Sequence, residues 1–164
     1  MKNKNLRLLG LLTVMAAALT IGISSCKKDK DDNGSSAALS ATIGGNAFKP
    51  RVVTGTSHNG YISVVGGQTL PGDSVFLDVT FPDTSKVNTK LNFDHADLQL
   101  ATFTTSKLYS GNDSRSHGSV TVTTLDKTNK KVAGKFEGVI YNAFGGPDSV
   151  VIKDGQFNTT YKAF

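Results

Sequence analysis

Tryptophan is absent, cysteine occurs once, proline four times, and glutamate only at Glu137. With a single cysteine no intramolecular disulfide can form, so any folded domain stands on its core alone. The lone glutamate leaves twelve aspartates among the 13 acids, and Asp prefers turns to helix interiors, which disfavours both a helical domain and glycosidase-type carboxylate pairs. Missing Trp and an aromatic content of 8% weaken the case for a sugar-stacking platform. Concentrated positive charge is lacking too. The chain of 164 residues carries +5, but Lys2, Lys4 and Arg7 supply three of its 18 bases, with no acid before Asp29. Residues 26–164 therefore hold 15 bases against 13 acids, a net of +2, too balanced for a nucleic-acid binder. The length allows one domain with appendages and excludes a large multidomain enzyme.

What is present begins with an address. Met1–Arg7 is basic, and Leu8–Ile23 is apolar apart from Gly10, Thr13, Thr20 and Gly22. A spanning helix needs about 20 apolar residues, so this shorter run reads as a secretory signal over residues 1–25. Ile23-Ser24-Ser25-Cys26 at its end looks like a bacterial lipobox. That resemblance implies cleavage before Cys26, a diacylglycerol thioether on its sulfur, acylation of the new terminus, and so a membrane partner. Residues 26–38, rich in Lys, Asp, Gly and Ser, are expected to be a flexible tether. Asp29-x-Asp31-x-Asn33-Gly34 copies the opening of a calcium loop, but its twelfth position is Ser40 rather than Glu, and no amphipathic helices flank it.

From Leu39 on, alternation replaces helical periodicity. Val75, Leu77, Val79 and Phe81 share one face, opposite Asp78 and Thr80. Val132, Phe136 and Ile140 share one parity, opposite Lys135 and Glu137. Gly44-Gly45, Asn59-Gly60, Pro71-Gly72, Asp126–Lys131 and Asp154-Gly155 punctuate the runs as turns. The expected fold of residues 39–164 is all-β: an antiparallel β-sandwich or flattened barrel of about 8–10 strands. The expected strands lie near 39–43, 47–54, 60–66, 74–81, 89–94, 98–104, 118–125, 131–141, 148–153 and 156–162. Phe136, between Gly134 and Gly138, should be buried and fill the space that the two glycines leave.

Ser40–Phe48, Gly118–Asp126, Val132–Phe136 and Ile152–Phe157 resemble, in order and spacing, the opening hairpin and closing half of small lipoproteins of the Bacteroidetes type. The charged segment after Cys26 resembles their surface-export segment. The middle departs, with Asn88-Thr89-Lys90-Leu91 where a Gly-Thr-Tyr turn is often found. The resemblance implies an outer-membrane, surface-exposed, lipid-anchored β-domain of unknown function. It carries no activity over.

Chemical motifs are sparse. His58, His95 and His117 form no H-x-H or H-x₃-H pair, so no metal site and no cofactor is expected. Asp94-His95-Ala96-Asp97 is the densest cluster, and its acids would converge only in a turn. Gly55-Thr56-Ser57-His58-Asn59-Gly60 narrowly misses a nucleophile elbow and has no following helix; Ser114, Ser116 and His117 lie in a polar loop. No dinucleotide or phosphate-binding motif occurs, since Gly134-Lys135 lacks the upstream glycine. Lys127, Lys130 and Lys131 crowd a hairpin tip, and Tyr61, Tyr109, Tyr141 and Phe144 are candidate exposed rings. The leading expectation is a non-enzymatic binding or accessory module that docks a protein or glycan, with no nucleic-acid partner. The alternatives are a small hydrolase or metal-dependent enzyme with a site near His95 or His117, and a purely structural envelope protein.

Overall fold

In a computed structural model of the chain, the structure describes residues 38–164. The expected leader, Cys26, the calcium-like motif and the expected tether up to residue 37 lie outside the described residues. From Ala38 on the fold is all-β, with no helix among the described residues. Eleven strands form one mixed sheet: β1 (Ala38–Ile43), β2 (Asn46–Phe48), β3 (Val53–His58), β4 (Tyr61–Leu70), β5 (Asp73–Pro82), β6 (Lys90–Asn92), β7 (Asp97–Thr102), β8 (Lys107–Ser110), β9 (His117–Asp126), β10 (Lys131–Asn142) and β11 (Ser149–Ala163).

The order is β2-β1-β11-β3-β4-β5-β7-β8-β10-β9-β6, and β10 also pairs with β11. That extra pairing closes a circuit through β11, β3, β4, β5, β7, β8 and β10. Two long strands make the corners. One edge of β11 serves β1 from Ile152 to Asn158, then β3 from Tyr161 to Ala163. One edge of β10 serves β9 up to Val139, then β8 at Tyr141 and Asn142. The result is a flattened barrel: β2-β1-β11-β10-β9-β6 forms one layer, and β3-β4-β5-β7-β8 the other. Closure pairs the strands of the circuit on both sides and leaves β2 and β6 as the outermost strands of the sheet. The β11–β3 contact is parallel, an exception to the expected antiparallel pairing.

The core lies between the layers. Val75, Leu77, Val79 and Phe81 point into it from β5, Val120 and Val122 from β9, and Val132, Phe136 and Ile140 from β10. Phe81 of one layer stacks on Phe157 of the other at 5.5 Å. Asn59-Gly60 and Pro71-Gly72 make the expected hairpin turns, with Asn59 at φ 49° and Gly60 at φ 79°. Between β7 and β8 the chain turns around Asp73 of β5. Its carboxylate accepts from the amides of Phe103, Thr104 and Thr105 and from the Thr105 hydroxyl. Desolvation pushes this carboxyl up, yet the Thr105 and Thr104 bonds outweigh it and hold Asp73 well below the usual range.

Several boundaries differ from the sequence reading. Asp154-Gly155 is not a turn between two strands; both lie inside the continuous β11. The alternation shifts there, with Ile152 and Gly155 inward and Lys153 and Asp154 outward. Asp154 sits at φ 53°, and register slips opposite it on both β1 and β10, the marks of a β-bulge. A left-handed Asp serves a bulge as readily as a turn, and the ladders on both edges decide for the bulge. The run expected at 47–54 breaks into β2 and β3, so Gly55–His58 is strand, not loop. The strand expected at 89–94 shrinks to β6, and β8 was not expected at all.

Phe136 is buried as expected, at 3% exposure, but it does not fill the spaces beside it on β10. A Cβ on Gly134 would strike the Phe157 ring, and one on Gly138 would meet Phe93 at 2.7 Å. Phe136 instead lies over Gly155, its register partner on β11. Gly134 and Phe157 are register partners as well. The two strands thus exchange rings for glycines across the ladder, and each ring covers the gap its partner leaves. Phe136→Ala should cost about 3–5 kcal/mol in urea melts of the full chain, and Lys135→Ala no more than about 0.5. Gly155→Ala should also destabilise, since its Cβ has no room. Equal effects from Phe136→Ala and Lys135→Ala would mean that the strand faces are exchanged.

Candidate functional site

Two regions hold polar chemistry that the fold itself does not consume. The first is the outer face of the β11-β10-β9-β6 layer. Register sets one row across it: Lys90, Thr121, Lys135, Gln156 and Ser40. Asn92, Ser119 and Glu137 make the next, with Lys153 and Asp154 beyond them at the bulge. The sheet is concave here. Lys90, Ser119, Thr121, Lys135, Glu137, Asp154 and Gln156 line a groove of about 320 Å³, a volume within the range of ligand sites. Ser119 forms its floor at 4% exposure. The salt bridges among the described residues join Lys107–Asp148, Arg115–Asp113 and Lys127–Asp83. Lys90, Lys135, Glu137 and Asp154 take part in none, so two cations and two anions face one groove without a salt bridge among the described residues.

The second region is a buried network on the outer side of the other layer. Asp78 and Thr80 do point away from the core, as the alternation predicted, but they are not in water. Register sets Val65, Asp78, Gln99 and Ser110 in one row and Ser63, Thr80 and Asp97 in the next. Asp78 is 1% exposed and Asp97 6%. Asp78 Oδ1 accepts from Ser63 Oγ at 2.5 Å and Thr80 Oγ1 at 3.0 Å, while its Oδ2 is buried with no partner. Asp97 Oδ2 accepts from Gln99 Nε2 at 2.9 Å and Asn112 Nδ2 at 2.7 Å. Burial pushes the Asp78 carboxyl up to about 6 against the pull of its two hydroxyl donors. Burial likewise raises Asp97 to about 7, opposed by Gln99 and reinforced by the charge of Asp78. One hint was present in the sequence: Asp78-x-Thr80 and Asp97-x-Gln99 put acids at the same parity on two strands that could pair.

The expected candidates do not assemble. His58, His95 and His117 are exposed at separate strand ends or turns. Asp94 and His95 lie in the turn before β7, where Asn92 O accepts from the His95 amide; Asp97 begins the strand and turns into the buried network. The acids of the Asp94–Asp97 cluster therefore part. Among the described residues no three His, Cys, Asp or Glu side chains gather as a metal site. Ser57 lies in β3, and the Ser116 hydroxyl donates to Ser110 O at 2.7 Å and accepts from the Tyr141 amide at 2.9 Å, a structural tie. Lys127 reaches Asp83 at 3.9 Å, and Lys130 lies 5.8 Å from the Tyr161 ring centre. Of the four rings, Tyr109 is buried, Tyr61 is half-buried, Tyr141 is half-buried beneath Arg115 at 4.7 Å, and Phe144 is 74% exposed.

Together these features describe an all-β domain, a closed flattened barrel whose sheet faces carry its polar chemistry. Residues 35–160 match the family described as Domain of unknown function (DUF6252), and the chain belongs to that family. No curated protein and no solved structure matches it.

The carboxyl pair has a consequence for stability. Both groups have raised values in the folded protein, so the folded state holds their protons more tightly than the unfolded chain does. Their contribution is fully present below the ordinary Asp range and is lost as pH rises through about 6 to 7. Thermal melts of the full chain should show the midpoint falling by several degrees from pH 5 to pH 8. Asp78→Asn should flatten that slope, and a midpoint that climbs over this range would contradict the assignment.

Proposed function

We propose that this protein is a lipid-anchored, non-enzymatic binding module of the outer-membrane surface, and that its groove on the β6-β9-β10-β11 face takes a charged glycan. The observation that carries the reading is the convergence of Lys90, Lys135, Glu137 and Asp154 on that groove without ion-pair partners. Charges left unpaired by the fold are free to pair with a ligand, and serine, threonine and glutamine between them supply the donors and acceptors that read hydroxyl groups. The groove opens on a sheet face, lined mostly by β9, β10 and β11, which are paired along both edges there, with β6 the outermost strand. An added peptide strand would need free backbone groups, whereas a glycan is bound by side chains alone. The family match is to a domain of unknown function, and near His95 and His117 no three metal-ligating side chains gather among the described residues. The anchor rests on the sequence: the short apolar leader and the single Cys26 after Ser24-Ser25.

Electrophoresis through gels containing polyuronate, sulfated or amino-sugar polysaccharides tests the groove. At least one polymer should retard the full chain, and Lys90→Ala with Lys135→Ala should relieve the retardation of an acidic polymer by tenfold or more in apparent affinity, the loss of about 1.4 kcal/mol. Retardation by none, with capture of a charged peptide instead, would replace the glycan reading by a peptide one. For the anchor, mass spectrometry of the mature N-terminus should find Cys26 acylated, and Cys26→Ser should leave the chain unprocessed. An unmodified Cys26, or cleavage elsewhere, would refute the anchor.

A further inference from the structure

The buried carboxyl pair borders a loop that is tied to the exposed end of the barrel. Gly111–Ser116 runs from β8 to β9 as a strap. Its Asn112 amide side chain donates to Asp97 Oδ2 at 2.7 Å, and the Gly111 amide donates to Leu98 O at 2.8 Å. Farther along, Asp113 accepts from Arg115 through Nε at 2.8 Å and Nη2 at 2.9 Å. Arg115 Nη1 donates to Gly146 O at 2.5 Å, Nη2 reaches Asn142 O at 3.4 Å, and the guanidinium covers Tyr141. One series of contacts thus runs from Asp97 through the strap to the 143–148 loop, which carries Phe144. At the Asp97 end lies the unpartnered, fully buried Oδ2 of Asp78.

We propose that Asp97 is a proton-operated latch: ionised, it grips the strap through Asn112 and steadies the Phe144 loop through Arg115; protonated, it lets both slacken. An ionised acceptor makes a hydrogen bond roughly twice as strong as a neutral one, so protonation weakens the grip on Asn112. The same proton relieves the burial of Asp97 and its repulsion with Asp78. Local grip and global stability therefore respond to acid with opposite signs, which a general acid-induced loosening would not produce. The groups facing Asp97 are Asp78, Thr80 and Ser63 from β5 and β4, Gln99 on its own strand, Ser110 of β8, and Gly111 and Asn112 of the strap; Asp78 is the titratable one. A second titratable group touches the far end of the strap, His117, whose Nδ1 lies 3.3 Å from Arg115 O. The latch is independent of the glycan reading, since its residues are not those of the groove.

Nuclear magnetic resonance of the full chain between pH 5 and 8 tests it. The Asn112 side-chain amide and the Arg115 Nε–H should titrate with the Asp97 carboxyl carbon on one midpoint. Protection of the strap amides, corrected for intrinsic exchange, should fall by about five- to tenfold on acidification while the melting temperature rises. Asp97→Asn should erase the Arg115 titration, and His117→Gln should keep it. Asn112→Ala, which leaves the pair intact, should keep the pH dependence of melting and uncouple Arg115 from it. An Arg115 titration that survives Asp97→Asn, or that disappears in His117→Gln, overturns the latch, and so does strap protection that rises with stability at low pH.

Discussion

The exchange of rings and glycines between β10 and β11 is the constraint on which the rest of the barrel depends. Phe157 lies over Gly134 and Phe136 over Gly155, each pair in register. Glycine alone would weaken both strands, and two opposed phenylalanines would not fit; crossed, they fill the same volume and set the pairing to a single register. A slip by one residue would put Lys135 and Gln156 in the core. With register set, the extra residue at Asp154 has to be taken up as a bulge, and bulged strands bend and coil. The coiled β11 is then able to leave β1 after Asn158 and meet β3 at Tyr161, and β10 to leave β9 and meet β8. Phe157 also stacks on Phe81, so the residue that sets the register also joins the layers.

The two layers dispose of their outer faces differently. On the β10-β9-β6 side the alternation ends in water, and Lys, Glu, Thr and Gln line a groove whose charges form no salt bridge among the described residues. On the β5-β7 side the outward Asp78, Thr80, Asp97 and Gln99 are themselves buried, and each aspartate has its own donors, with one oxygen of Asp78 left over. The first arrangement leaves polar and charged groups facing solvent in one groove. The second holds two carboxyls out of water, one of them bonded to Asn112 of a surface loop. The two arrangements lie on the outer sides of opposite layers, with residue sets that do not overlap.

Much of this order could be read along the chain wherever it depended on near neighbours. Alternation along Val75–Phe81 and Val132–Ile140 named the inward residues of β5 and β10, and the Asn59-Gly60 and Pro71-Gly72 pairs marked their hairpins, because side-chain direction and turn dihedrals are local properties. The single cysteine and absent tryptophan bounded the chemistry in the same way. Errors came where the decision lay with a distant partner. Asp154-Gly155 has the dihedral freedom of a turn and of a bulge, and β1 and β10 on its two edges chose the bulge. Asp78 has the parity of a solvated residue, and its burial comes from Val65, Gln99 and the network around Asp97, brought alongside from other strands. Gly134 and Gly138 pointed to a ring over β10 and the sequence reading assigned Phe136 to it, whereas the rings there are Phe157 and Phe93, which arrive from elsewhere in the chain. The all-β class, the inward faces and the main turns were determined by the sequence by itself, through period and backbone preference; closure of the barrel, the unpaired groove and the buried carboxyl pair were decided only by tertiary structure, because each is a relation between strands that the chain order does not place side by side.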